Sequence, residues 1–237
     1  SLGNIGVQAA GRIPERRQAR LLPLKGDITA RAWKRYIPFS RLPAVFNPDS
    51  GIVTGGSISS AAAGLPLLPV EMPRHNRLKQ LLSSDSAFSL RELGGFCRDS
   101  VDPRADRVVG ALLPLLEQQE TEHGELVKQL AGWDGSMRSG SSAAAVYRVF
   151  IDKLVQNIYE DDLGKGLVSA TVFREYLAGH LSVLLSGTSR PGQRNSSAAE
   201  RIDPDIIRKS FNEAAVFLEQ RLEGGSGTWS WGMLHRH

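Results

Sequence analysis

Cysteine is nearly absent from this sequence, since Cys97 is the only one among 237 residues. A single thiol excludes an internal disulfide, a cysteine-based zinc site and a redox pair. No histidine lies near Cys97 in sequence, which argues against a cysteine nucleophile. Long uncharged apolar runs are also missing, so the sequence predicts no membrane-spanning segment.

Positive charge is only slightly in excess. The net charge is +4, from 29 Lys and Arg against 25 Asp and Glu. This excess is too small to predict nucleic-acid binding, and no aromatic residues interleave with the basic cluster at residues 12–20 to stack on bases. We therefore predict no nucleic-acid partner.

Familiar catalytic patterns are missing as well. None of the five histidines forms the i, i+4 pair around a carboxylate that is typical of helical zinc sites. The serine-glycine stretches at residues 55–57 and 139–141 fit neither a nucleophile elbow nor a phosphate-binding loop. Residue types and spacings alone therefore predict no cofactor in this segment and no particular reaction.

Residues 1–70 are rich in glycine and proline and carry short apolar bursts, which favour strands. These bursts lie at residues 5–10, 20–24 and 51–54. From residue 73 onward, apolar residues recur every three or four positions, which predicts helices. A strand-rich first third followed by helices indicates the α+β class.

The clearest helix is predicted around residues 147–158, where a broad apolar stripe covers one face. A second is predicted to begin at Asp203 and Pro204, because aspartate caps free amides and proline fits the first turn. Further helices are predicted at residues 102–118, where Pro114 must kink or end the helix, and at residues 167–186. Residues 186–199 are predicted to form an exposed loop.

Four unusual sequence motifs occur in order along almost the whole chain. They begin with Gly3-Asn4-Ile5-Gly6, Trp33-Lys34-Arg35-Tyr36, Trp133-Asp134-Gly135-Ser136 and Trp229-Ser230-Trp231-Gly232. Together they resemble an internal segment of the penicillin acylase (penicillin amidase) family of N-terminal-nucleophile hydrolases. Most of these residues also suit turns and core packing, so they identify the family without performing its reaction.

The resemblance implies a fold and a division of the chain. The fold is part of the four-layer αββα architecture of N-terminal-nucleophile hydrolases. Residues 1–72 are expected to form the strand-rich part of the catalytic core, residues 73–222 a mainly helical region, and residues 223–237 a truncated return towards the core.

The resemblance also implies a chemistry. Members of the family cut an amide between an acyl group and an amine, using the hydroxyl of an N-terminal serine as nucleophile and the serine's own amine as base. Ser1 is not expected to be that nucleophile, because Leu2-Gly3-Asn4 follows it where the family has Asn-x-Trp. The nucleophile is expected upstream, in the longer protein that we call the parent, and the isolated segment is expected to be inactive.

The expected partners are a small-molecule acyl amide and the remaining small-chain and large-chain segments of the parent. If the parent binds calcium, the site is expected to lie elsewhere in the parent and not in this segment. If the protein is like its relatives, it is periplasmic or secreted; its own sequence leaves the compartment open.

Two positions correspond to catalytic positions of the family. Gly56 aligns with the asparagine whose side chain donates to the oxyanion, so that donor is absent here. Losing such a donor costs about 2.7–4 kcal/mol of transition-state stabilisation. The Ser57 hydroxyl is an alternative donor, or residues 55–57 form a plain turn. Arg77 resembles the family's arginine that supports the active site.

Two functional hypotheses follow. The first is a segment of an active amidohydrolase that acts on β-lactam or acyl-homoserine lactone type substrates. The second is a catalytically inactive homologue or truncated product, retained as a scaffold or small-molecule binding protein. Residues 55–57 favour the second, whereas the intact motifs on either side favour the first.

Overall fold

The computed structural model describes residues 3–16, 33–54, 73–85, 87–118, 122–185 and 202–235. The chain divides into two compact units, Ser1–Cys97 and Arg98–His237. Strands followed by helices form the first unit, and helices dominate the second. The domain organisation implied by the resemblance, with boundaries at residues 72 and 222, stays a prediction.

Short strands in the described part of the first unit form two antiparallel pairs. β1 (Gly6–Gln8) pairs with β4 (Ala44–Phe46), and β2 (Pro14–Arg16) pairs with β3 (Trp33–Tyr36). A Cβ atom added at Gly6 would lie 2.9 Å from the Val45 carbonyl oxygen. The close approach of β1 and β4 therefore requires glycine at position 6.

Two helices follow these strands, α1 (Pro73–Leu82) and α2 (Leu90–Phe96). A capping box begins α2: the Ser89 hydroxyl accepts a hydrogen bond from the Glu92 N–H, and the Glu92 carboxylate accepts one from the Ser89 N–H at 2.8 Å. These contacts satisfy two amides that the first helical turn leaves free. The serine-to-glutamate spacing thus fixes where α2 starts.

Helices make up most of the second unit. In chain order they are α3 (Ala105–Glu117), α4 (Gly124–Ala131), α5 (Ser142–Leu163), α6 (Lys165–Ser169), α7 (Thr171–Leu185) and α8 (Pro204–Arg221), with a short 3-10 helix at Trp231–His235. The long helix α5 packs against α4, α6, α7 and α8. It is therefore the central element of this unit.

The core of the second unit lies largely between α5 and α8. Leu154 and Val155 of α5 and Leu218 of α8 are completely buried. The rings of Phe150 and Phe211 meet edge to face, with centroids 5.3 Å apart. Each such side chain contributes about 1.5–3 kcal/mol when it leaves water, so this interface supplies much of the unit's stability.

A polar contact lies within the same interface. The Asn157 side-chain amide of α5 donates to the Ser210 hydroxyl at 3.0 Å and to a Glu213 carboxylate oxygen at 2.9 Å. Ser210 is fully buried, and its hydroxyl donates in turn to the Ile206 carbonyl oxygen. Because the Ser210 hydroxyl both accepts and donates a hydrogen bond, its burial leaves no polar atom unpaired.

The segment after α8 packs back onto the start of α5. The Trp231 N–H donates to the Ser141 carbonyl oxygen at 2.9 Å, and the Gly232 N–H donates to the Ser139 carbonyl oxygen at 2.7 Å. The Ser142 hydroxyl, in the first turn of α5, donates to the Ser226 carbonyl oxygen. Two of the motifs identified in the sequence therefore meet in space.

The helices predicted from periodicity are present. The stripe at residues 147–158 lies within α5, and Asp203 caps α8, because its carboxylate accepts from the Asp205 N–H at 2.9 Å. Helix α3 ends at Glu117, within one turn of Pro114. The segment predicted to be helical at residues 167–186 is helical but not continuous: Ala170 is extended, with ψ of 122°, and separates α6 from α7.

The strand predictions are confirmed only in part. β1 lies within the apolar burst at residues 5–10. The strand predicted at residues 51–54 is wrong, because Gly51 has a positive φ of 64° and its N–H donates to the Pro48 carbonyl oxygen in a turn. The burst at residues 20–24 and the loop predicted at residues 186–199 lie outside the described residues.

None of the described helices is both long enough and apolar enough to cross a bilayer.

Truncation of Leu154 should test the α5–α8 core. Leu154 is 0% exposed, whereas Leu163 on the same helix is 38% exposed. We expect Leu154→Ala to lower the free energy of unfolding by about 2–5 kcal/mol, because it leaves a cavity. Leu163→Ala, the matched control, should cost less than about 1 kcal/mol. Denaturant unfolding followed by circular dichroism measures both, and equal costs would contradict the assigned core.

Substitution of Gly232 should test the contact between the late segment and α5. A Cβ atom there would lie 3.1 Å from the Ser139 carbonyl oxygen and 3.2 Å from the Ser139 Cβ. We expect Gly232→Ala to lower the free energy of unfolding by about 1–3 kcal/mol through overpacking. Gly227→Ala is the control, because nothing lies within 4 Å of its added Cβ. A Gly232→Ala melting temperature equal to that of the control would refute the close approach.

Candidate functional site

Asn47 anchors the segment that leads towards the predicted oxyanion position. Its φ of 43° is the only positive value among the described non-glycine residues. Its side-chain oxygen accepts from the Ile5 N–H at 2.9 Å, and its amide donates to the Asn4 side-chain oxygen at 2.8 Å. Asparagine tolerates this left-handed conformation better than most residues. The first sequence motif therefore holds the second in place.

The chain reaches Thr54 after the turn at residues 48–51. Thr54 is buried, with 6% of its surface exposed. Its hydroxyl and the Nδ1 atom of His75 share a hydrogen bond at 2.8 Å. Because His75 lies in the first turns of α1, this bond joins the residue before the predicted oxyanion stretch to the helix that follows it.

Arg77 lies on the same helix, two residues after His75. It is half-buried, and its Nη1 atom donates to the Gln80 side-chain oxygen at 3.0 Å. Residues two apart on a helix do not share a face, so His75 and Arg77 project in different directions. The role of Arg77 in supporting an active site stays a prediction.

The other predicted site positions lie outside the described residues. These are Gly56, which aligns with the oxyanion asparagine, its neighbours Gly55 and Ser57, and Ser1, which was rejected as the nucleophile. The absence of a side-chain donor at position 56 is therefore a fact of the sequence, and the geometry of the oxyanion site stays a prediction.

The Thr54–His75 pair was not predicted from the sequence, because the two residues lie 21 positions apart and match no known motif. The signal that could have found the pair is positional: Thr54 directly precedes residues 55–72, and His75 lies in the first turn of the helix that follows them. A single sequence does not specify that path.

The third motif, around Trp133, has a packing role. The Trp133 indole N–H donates to the Ser136 carbonyl oxygen at 3.0 Å, and the Trp133 ring lies 4.8 Å from the Tyr147 ring. Asp134 and Arg138 form an ion pair, and the Arg138 Nε atom also donates to the Ser136 hydroxyl. These contacts shape the turn that leads into α5.

A chain of ion pairs joins the helices of the second unit. Glu175 on α7 contacts Arg104 beside α3 at 3.7 Å and Arg148 on α5 at 2.6 Å. Asp152 on α5 lies between Arg148 at 3.4 Å and Arg174 at 3.7 Å. Burial raises the pKa of Asp152 above its ordinary value, and the two arginines oppose that shift.

Across the described ranges, no group of three or more His, Cys, Asp or Glu side chains is arranged to hold a metal ion. The expectation that calcium is bound elsewhere in the parent is not tested by these residues and stays a prediction.

The sequence model of the penicillin amidase family matches residues 1–237 of the chain. This match spans the whole sequence, including the four motifs and both compact units. The chain therefore belongs to the penicillin amidase family, as the sequence motifs predicted.

Two kinds of relative share sequence with the chain. The acyl-homoserine lactone acylase QuiP of Pseudomonas aeruginosa is 26% identical over 261 residues, which cover 99% of the chain and 30% of that relative. Penicillin acylase 2 proenzyme of Pseudomonas sp. (strain SE83) is 28% identical over 153 residues, which cover 62% of the chain and 20% of that relative. The chain thus spans a third or less of the length of these relatives.

A solved structure shares the fold. The thermostable penicillin G acylase from Alcaligenes faecalis matches with a TM-score of 0.71 at 16% sequence identity, over 96% of this chain and 46% of that chain. The predicted fold class, an α+β segment of this hydrolase fold, is confirmed by that likeness.

Removal of the Thr54 hydroxyl should weaken the link between the two ends of the undescribed stretch. We expect Thr54→Val to lower the free energy of unfolding of the first unit by about 1 kcal/mol, because a hydrogen bond inside the protein is lost. Thr54→Ser, which keeps the hydroxyl, is the control. Amide hydrogen exchange of α1 measures the effect.

A double-mutant cycle separates this hydrogen bond from other effects of each substitution. The cycle combines Thr54→Val with His75→Ala, and we expect a coupling energy of about 0.5–1.5 kcal/mol. Additive costs in the double variant would mean that the two side chains do not interact.

Proposed function

We propose that the parent of this chain is an amidohydrolase that cuts the bond between an acyl group and an amine. The observation that carries the proposal is the family match over residues 1–237. Supporting it, relatives named as acyl-homoserine lactone acylases align along 98–99% of the chain. The family's fold and motifs are thus retained throughout, although the reacting serine is expected in a part of the parent beyond this chain.

The proposed substrates are acyl amides, either acyl-homoserine lactones or β-lactams. The near-complete alignment with the acyl-homoserine lactone acylases favours the first of these, because the penicillin acylase 2 relative aligns with only 62% of the chain. In both cases the scissile bond is a linear amide, and the amine side of the substrate leaves first.

The proposed mechanism proceeds through an acyl-enzyme. The hydroxyl of the parent's N-terminal serine attacks the amide carbonyl, and the serine's α-amine takes the proton. An α-amine suits this task because its ordinary pKa of about 7.7–8.0 leaves a useful fraction unprotonated near neutral pH. Water then releases the acid. Residues of this chain contribute the scaffold of the site, and by itself the chain is expected to show no turnover.

Within this scaffold, the Thr54–His75 hydrogen bond supports the proposal. The bond fixes the position of Thr54, at the entry to the predicted oxyanion stretch, relative to α1. Helix α1 also carries Arg77. Catalysis by oxyanion stabilisation depends on donors that are held in place before the reaction begins. A bond that immobilises both ends of the stretch serves that need.

A second candidate function rests on one specific observation. The sequence at residues 55–57 is Gly-Gly-Ser, and Gly56 offers no side-chain donor where the family has asparagine. An oxyanion that lacks one donor forms about a hundred to a thousand times more slowly. This favours an inactive homologue, retained as a scaffold or a small-molecule binding protein.

Restoring the asparagine should distinguish the two candidates. In the parent, we expect Gly56→Asn to raise the rate of acid release from acyl-homoserine lactones by about 10²–10³, because it returns the missing donor. Mass spectrometry of the released acid measures the rate. The control is Gly55→Asn, which places the same side chain one position earlier.

Each outcome of that assay is informative. An equal gain from Gly55→Asn would mean that position 56 is not the oxyanion position. No acid release from the wild-type parent or from either variant would reject the enzyme proposal in favour of the inactive homologue.

A further inference from the structure

An open cleft lies on the surface of the second unit. Its volume is about 310 Å³, at the lower end of the roughly 300–1,000 Å³ range that is typical of small-molecule sites. Helices α5, α6 and α8 and the start of α7 supply its lining. The proposed function assigns no role to this cleft.

One wall of the cleft is apolar. Val149 of α5 and Val168 of α6 are buried beneath it, while Phe217 of α8 is 40% exposed at its surface. An exposed phenylalanine beside buried valines offers a surface on which an apolar ligand can leave water. At about 25 cal/mol per Å² of buried apolar surface, such contact favours binding of an alkyl or aromatic group.

The acidic side chains in the cleft already have partners. Asp152 lies between Arg148 and Arg174, and Arg174 also donates to the Ser169 carbonyl oxygen at 3.0 Å. The Glu160 carboxylate accepts a hydrogen bond from the Gln156 side-chain amide at 2.7 Å. Asp152 therefore already has cationic partners, whereas the hydrogen bond at Glu160 comes from an uncharged amide.

The lysines in the cleft are in the opposite situation. Lys153 contacts the face of the Phe217 ring, with its Nζ atom 5.7 Å from the ring centroid. Within the described residues, neither Lys153 nor Lys165 has a carboxylate partner. Among the charges of the cleft that have no ionic partner within the described residues, the two lysines outnumber Glu160, so the balance is positive, and Lys153 lies beside the apolar wall.

We propose that this cleft binds a small organic monoanion, with its carboxylate near Lys153 and Lys165 and its apolar body against Phe217. The cation–π contact holds the Lys153 ammonium close to the apolar wall, which suits a ligand whose charged and apolar parts are adjacent. Because the cleft also contains Asp152 and Glu160, it carries only one net positive charge, so a monoanion fits better than a dianion. The proposal is independent of whether the parent is an active amidase.

Binding is tested on the full chain with three probes of equal length: octanoate, octanamide and octylamine. Chemical-shift changes of backbone amides, recorded below the concentration at which each probe forms micelles, locate the site and give the dissociation constants. We expect shifts on α5, α6 and α8, and octanoate about tenfold tighter than octanamide, because the lysine ammonium groups pair with a negative charge that the amide lacks. The octanoate affinity should fall as salt is added.

Side-chain variants test which residues hold the anion. Lys153→Met and Lys165→Met should each weaken octanoate and reduce its advantage over octanamide, because each removes one of the two cationic partners of the carboxylate. Phe217→Ala should weaken both probes. The matched control is Lys128→Met on α4, whose side chain is 80% exposed and pairs with Glu125 outside the cleft. Thermal melts establish that each variant remains folded.

Several results would overturn the proposal. Equal affinity for octanoate and octanamide would remove the role of the lysines, and tighter binding of octylamine would mean that Asp152 and Glu160 dominate the cleft. Shifts confined to residues outside the cleft, or no binding of any probe, would equally reject it. The same holds if Lys128→Met weakens octanoate as much as Lys165→Met does.

Discussion

The packing of α5 against α8 is the constraint on which the rest of the second unit depends. The rings of Phe150 and Phe211 are in contact in this interface, and Leu154 and Val155 are completely buried in it. Helix α5 positions the Trp133 turn, which leads into it, and the late Trp231 segment, which packs against the same end. The surface cleft borders the same two helices. A shift of α5 would therefore displace the Trp133 motif, the Trp229 motif and the cleft together.

The first unit depends on a different kind of interaction. Its described strands are only three or four residues long, and paired segments of that length are marginal on their own. Polar side chains compensate: Asn47 ties its segment to residues 4 and 5, and Thr54 ties the next segment to His75. The first unit therefore uses specific hydrogen bonds where the second uses apolar burial. Such bonds hold particular backbone points in place.

Sequence reasoning predicted the second unit better than the first, for a physical reason. The stripe in α5 and the Asp203 cap of α8 are local features, and local periodicity specifies them. The break at Ala170 was missed because residues 165–185 remain apolar at helical spacing on both sides of it. The turn at Gly51 was mistaken for a strand, and the Thr54–His75 pair was not foreseen, because both depend on where a distant segment places the chain. The family itself was recognised from motifs that turned out to be largely structural, such as the Trp133 turn.

The approach of Gly232 to Ser139 also bears on how the family can vary. The two positions are far apart in sequence, yet a Cβ atom at position 232 would lie 3.1 Å from the Ser139 carbonyl oxygen, so position 232 has no room for a side chain while Ser139 stays in place. Because two of the three atoms nearest that Cβ belong to the Ser139 backbone, a different side chain at position 139 does not make the room. Position 232 should therefore remain glycine even where the sequence around it varies.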